Sequence, residues 1–179
     1  RIAPRTLLCA TGFRTSGSGF SAGFDELRDL CLAADDQRSL AIAMSGPIME
    51  TYFNAQRREA SALGTEQVQL LESIGDPTLT LALITAAISV KHETAEMHEV
   101  LRLAQYAIDL SGGDATKGGK IATSSPLALA MSFRGLARWC LGITGWRDDF
   151  EQAVQMVKTA EAVTRGGVLY YSHTMSMLN

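Results

Sequence analysis

The sequence predicts an all-α chain of stacked helical hairpins, and three observations carry that prediction. Apolar residues recur at i, i+3, i+4 and i+7 in four separate stretches, the period of a half-buried helix. Between those stretches lie segments that are apolar on more than one side, as the inner layer of a stack must be. No segment alternates apolar and polar residues with period two, so no strand is expected.

The first inner helix is expected over Pro4 to Thr11. A half-wet helix follows, with Phe20, Phe24, Leu27, Leu30, Cys31 and Ala34 on one face and Asp25, Glu26, Arg28 and Asp29 opposite. The second inner helix runs from Ser39 to Asn54. Gly46-Pro47 should kink or restart it, because proline brings no N–H and crowds the preceding turn. Ala60, Leu63, Leu70, Leu71 and Ile74 form the next stripe. Asp76-Pro77, an N-cap before a first-turn proline, opens an inner helix that reaches Lys91. Met97, Val100, Leu101, Ala104, Ala107 and Ile108 line the third stripe, with Glu96, Glu99, Arg102, Gln105 and Asp109 facing water. Ser125-Pro126 opens the fourth inner helix, to Thr144, where Phe133 and Trp139 are the expected core anchors. Phe150, Ala153, Val154, Val157 and Ala160 form the last stripe, and Asp148 with Glu151 reads as a capping box. Gly166-Gly167 reads as a helix stop, and a terminal helix begins near Val168.

Inner helices thus recur every 35 to 50 residues or so, about the period of helix-turn-helix solenoids. Gly46, Ala86 and Gly135 fall near the middle of three of them. A helical glycine costs roughly 1 kcal/mol relative to alanine, so its use argues for close approach of a neighbouring helix. Small residues play that role in tetratricopeptide repeats. The expected fold is therefore a tetratricopeptide-like helical-hairpin solenoid over 1–179, with about four degenerate hairpins plus a terminal helix. The glycine-rich linker Ser111 to Ser124 is expected to be a mobile surface insertion, or else a contact loop.

Composition narrows the function. The 179 residues are 46% hydrophobic and 20% charged, ordinary for one globular domain. A net charge of −3 gives no basic face for nucleic acid. Cys9, Cys31 and Cys140 are too scattered for a disulfide framework or a zinc site, and read as buried reduced thiols, Cys140 included. That suits the cytoplasm. The apolar run Leu79 to Val90 is shorter than the roughly 20 residues a membrane span needs, and no signal peptide is visible. A chain opening on Arg1 reads as a piece of a longer polypeptide.

Three segments add a resemblance: ATGFRTSGSGFSAGFDELRDLCLAADD (10–36), REASALGTEQVQLLESIGDPTLT (58–80) and SPLALAMSFRGLARWCLGITGWRDDFEQAV (125–154). They resemble a family of large actinobacterial, particularly mycobacterial, regulators. Those proteins join a class III adenylate/guanylate cyclase domain, a signalling-type ATPase domain, a tetratricopeptide-like helical region and often a LuxR-type DNA-binding end. The likeness lies in the helical region. It implies a sensor or scaffold arm and marks no catalytic residue.

The remaining polar groups offer little chemistry. No strand pattern exists to carry cyclase aspartates. Gly113 to Gly118 lacks the lysine of a phosphate loop, since Gly119 stands there. His92 and His98 are six apart, against four in a zinc-binding helix. No cofactor or metal is expected, and the chain is read as a non-enzyme. Arg134 and Arg138 share a helix face and could clamp a carboxylate or phosphate in a groove. The alternative is pairing with acids of a neighbouring helix, such as Asp148 or Asp149. Tyr52, Asn54, Thr85 and Ser89 are further groove candidates.

The first functional reading is an interaction or effector-sensing module that takes a protein segment or small effector. A helical enzyme or small-molecule pocket built on Arg134, Arg138, Tyr52 and His92 is the second, and a structural dimerisation arm the third. Val168, Leu169, Tyr171, Met175 and Leu178 are apolar enough to need cover, which predicts a homodimer through Val168 to Asn179.

Overall fold

The computed structural model describes residues 2–12, 23–122, 125–158, 160 and 162–176; Phe20 and Leu178 lie outside them. Every regular element among the described residues is a helix. The chain, read above as one domain, divides into two compact units, Arg1–Asp76 and Pro77–Asn179.

The first unit holds α1 (Ile2–Thr11), α2 (Phe24–Ala33), α3 (Gln37–Ala43), α4 (Ser45–Phe53) and α5 (Arg57–Ile74). Helix α1 packs on α2, α3 and α4, and α5 packs on α3 and α4. The expected helix over Ser39 to Asn54 is broken at Met44, because Pro47 cannot donate to the turn before it. Gly46 lies directly under α1. A Cβ there would collide with the Cys9 carbonyl, its carbon only 2.9 Å away. Gln67 of α5, fully buried, bridges the break: its Nε2 donates to the Ala41 carbonyl at 2.9 Å and to Ser45 Oγ at 3.2 Å.

The second unit holds α6 (Pro77–Glu93), α7 (Met97–Ser111), α8 (Gly119–Ala122), α9 (Pro126–Cys140), α10 (Trp146–Met156) and α11 (Ala162–Ser176). Helix α9 is its centre and touches α6, α7, α10 and α11. That explains a sequence apolar on several faces: ten of its fifteen residues are buried. Gly135 is the close-approach point, where a Cβ would stand 2.9 Å from the Phe150 ring and 3.1 Å from the Trp146 carbonyl.

Several local expectations are corrected. Gly166 and Gly167 lie inside α11, held in a helix by packing on α9. The α10 N-cap is Gly145, at φ 87°, so Asp148 is an exposed first-turn residue, Glu151 lies in the second turn, and the two form no capping box. Cys140 is exposed, because it ends α9 beyond its covered turns. Trp139 is only half-buried, whereas Phe133 is 1% exposed and carries the anchoring role. The linker after α7 is tied down: Lys117 Nζ donates to the Leu110 carbonyl at 2.5 Å, and Ser125 Oγ to the Ala115 carbonyl at 3.0 Å. Val168 is fully buried among Leu127, Ala128, Met131, Ala153 and Val157, so its cover comes from this chain and not from a second copy.

Candidate functional site

Four helix-to-helix corners share one backbone geometry. At Asp35, Ala55, Ala95 and Gly142 the chain enters the left-handed region, with φ of 51°, 60°, 59° and 69°. The next residue donates its N–H to the carbonyl five residues back: Asp36 to Cys31, Gln56 to Thr51, Glu96 to Lys91 and Ile143 to Arg138, at 2.8 to 3.0 Å. These are Schellman closures, which satisfy carbonyls that a helix end leaves unpaired. At the first three corners the donating residue is also the N-cap of the following helix. Asp36 accepts from the Ser39 N–H at 3.0 Å, and that bond holds its carboxyl below the ordinary value. The Ala95 corner is reinforced by Lys91, whose Nζ reaches Glu96 Oε2 at 3.0 Å from a side chain 8% exposed.

Arg134 and Arg138 meet on one buried carboxylate. The Arg134 fork grips Asp149 through Nε at 3.1 Å and Nη2 at 2.5 Å, while its Nη1 donates to Gln105 Oε1 at 2.9 Å. Arg138 reaches the same carboxylate through Nη1 at 2.9 Å. The set therefore joins α7, α9 and α10, and of the sequence-level alternatives the structure displays the pairing with Asp149. Gln105 was read from the sequence only as a water-facing residue; its spacing from Asp109, to which its amide also donates at 2.8 Å, carried no hint of Arg134.

The other candidates fall elsewhere. Tyr52 and Asn54 belong to the first unit, at the end of α4 and its cap, and Tyr52 packs edge-on against the exposed ring of Phe53. A shallow depression of about 380 Å3 follows them in sequence, lined by Ala55, Gln56, Arg57, Arg58 and Glu59. Thr85 and Ser89 lie half-buried on α6, where Ser89 Oγ donates to the Thr85 carbonyl at 2.9 Å, a local helix bond. His92 stands beside the rings of Phe133 and Tyr171, with centroids 6.2 and 5.8 Å away, and those two rings touch each other at 4.5 Å. Burial pushes its imidazole below the ordinary value, against the opposing pull of Glu93. Among the described residues no group of three or more His, Cys, Asp or Glu is placed to hold a metal ion. Nor, among the described residues, is any helix long and apolar enough to cross a membrane.

No protein-family model, curated protein or solved structure matches the chain.

Proposed function

We propose that the chain is a tetratricopeptide-like interaction or effector-sensing module of a cytoplasmic signalling or transcriptional regulator, with cyclase and ATPase chemistry carried by other parts of the parent protein. The observation that carries this reading is the recurrent Schellman corner at Asp35, Ala55, Ala95 and Gly142. One corner geometry, reused between consecutive helices, is how a helical repeat propagates a binding surface by addition. The sequence resemblance of 10–36, 58–80 and 125–154 supplies the regulatory context. The polar clusters are consistent with binding rather than turnover: the arginines are held by a carboxylate, and the depression beside Asn54 is open to solvent.

The test begins with the coding sequence on either side of residues 1–179. A cyclase or ATPase domain in the same polypeptide supports the reading, and a stand-alone gene ends it. In such a parent, deletion of 1–179 is expected to change the regulation of nucleotide turnover while leaving the catalytic domain folded. Unchanged regulation would reject the sensing role.

A further inference from the structure

We infer that the free side-on edge of Arg138 is a receptor for one carboxylate group of a ligand. The inference rests on the reading of the chain as a binding module and names the chemistry one site on it selects.

Arg134 and Arg138 are one helical turn apart and share Asp149, yet they use different edges. Arg134 spends its Nε and Nη2 on Asp149 and its Nη1 on Gln105. Arg138 spends only Nη1, so its Nε and Nη2 have no partner among the described residues. Those two nitrogens form the edge that holds a carboxylate by two parallel hydrogen bonds. On Arg134 the same edge already does so, with Asp149 as the carboxylate. The Arg138 side chain is 26% exposed, against 13% for Arg134 and 2% for Asp149, so of the three it is the one that solvent reaches most. Gly145 lies against the other side of the guanidinium, where a Cβ would sit 3.2 Å from Nη1, the nitrogen that Asp149 holds.

Charge selects the ligand class. Two guanidinium groups against one buried carboxylate leave a single positive charge. Asp148 and Asp109, the nearby acids on α10 and α7, are exposed and screened by water. One surplus charge matches a monoanionic carboxylate, whereas a phosphate near its dianionic form brings a second negative charge toward Asp149.

The test uses the intact chain and acetate as probe, read by the arginine Nε–Hε resonances at constant ionic strength made up with chloride. The Arg138 signal is identified by its loss in Arg138→Lys, a variant that keeps the charge and should melt as wild type does. Acetate is expected to shift the Arg138 signal saturably, with a smaller shift at Arg134. The Gly145 amide should report binding roughly tenfold weaker in Arg138→Lys, which keeps one donor group and loses the fork. Three results would overturn the proposal: a shift that rises linearly, an undiminished response in Arg138→Lys, or tighter saturation by inorganic phosphate. Any of these removes the carboxylate receptor and leaves the module itself standing, because that reading is judged by deletion in the parent protein.

Discussion

In the first unit a close helix approach is backbone on backbone, with Gly46 of α4 lying against the Cys9 carbonyl of α1. In the second, the matching glycine, Gly135, lies against the Phe150 ring and the Trp146 carbonyl, and the neighbouring polar tie is an ion set. A main-chain carbonyl inside a helix cannot turn aside without moving the helix. At Gly135 the carbonyl stands off at 3.1 Å and the nearer neighbour is a ring that can tilt, while a guanidinium can trade partners with water. The same residue type at a close helix approach thus tolerates different amounts of change, according to what it meets.

Gly46→Ala should break the comparison most visibly. It is expected to cost about 3 kcal/mol, the upper part of the usual overpacking range, measured by urea unfolding. A cost below about 1 kcal/mol would mean that α1 slides freely, and the contrast with Gly135 would vanish. Next comes Asp149→Asn, which strips two guanidinium groups of their counter-ion. A fully buried pair would lose about 3 to 5 kcal/mol; about 2 is expected here because Arg138 reaches water. Gly135→Ala should cost about 1 kcal/mol net, as overpacking against Phe150 is partly offset by better helix propensity.

Ala55→Gly and Ala95→Gly sharpen the comparison from the opposite side, one corner in each unit. Both residues hold the left-handed conformation that alanine dislikes, so glycine should stabilise each unit by about 0.5 kcal/mol after its entropic cost. Equal thermal shifts would show that the corners are alike whatever packs around them.

The smallest expected effect is in pH dependence. The folded His92 takes a proton less readily than the unfolded chain, because burial disfavours the imidazolium. Its contribution is present above the ordinary histidine value of 6.5 and is lost as pH falls below it. Between about pH 7.5 and about pH 5.5 the wild type should lose more urea resistance than His92→Gln, and equal losses would place the titration elsewhere.

Much of this architecture was legible because burial imposes a period. The stripes of α5, α7 and α10 and the many-sided apolarity of α6 and α9 follow from which faces meet neighbours. Gly46 and Gly135 were legible for a related reason, a tolerated cost that only close approach explains. The corners were not, because main-chain hydrogen bonds close them and leave little trace in side chains. A faint signal exists in Gln56 with Glu59 and Glu96 with Glu99, an N-cap position and a glutamate three residues on. Gly166-Gly167 misled because tertiary packing overrides a local stop, and Cys140 because hydrophobic pattern says nothing of where the cover ends. For Arg134 and Arg138, spacing placed them on one face but could not choose between a ligand and Asp149, a choice made by the chain's return through α10.

The three-residue corners at Asp35, Ala55 and Ala95 also bear on how such a chain can drift over generations. With bend angles held by amide groups, nearly every letter around a corner is open to replacement. Loss or gain of one residue is another matter, since it would rotate all that follows by roughly 100° and turn greasy faces to water. Length at these bends should therefore stay constant long after their spelling has changed.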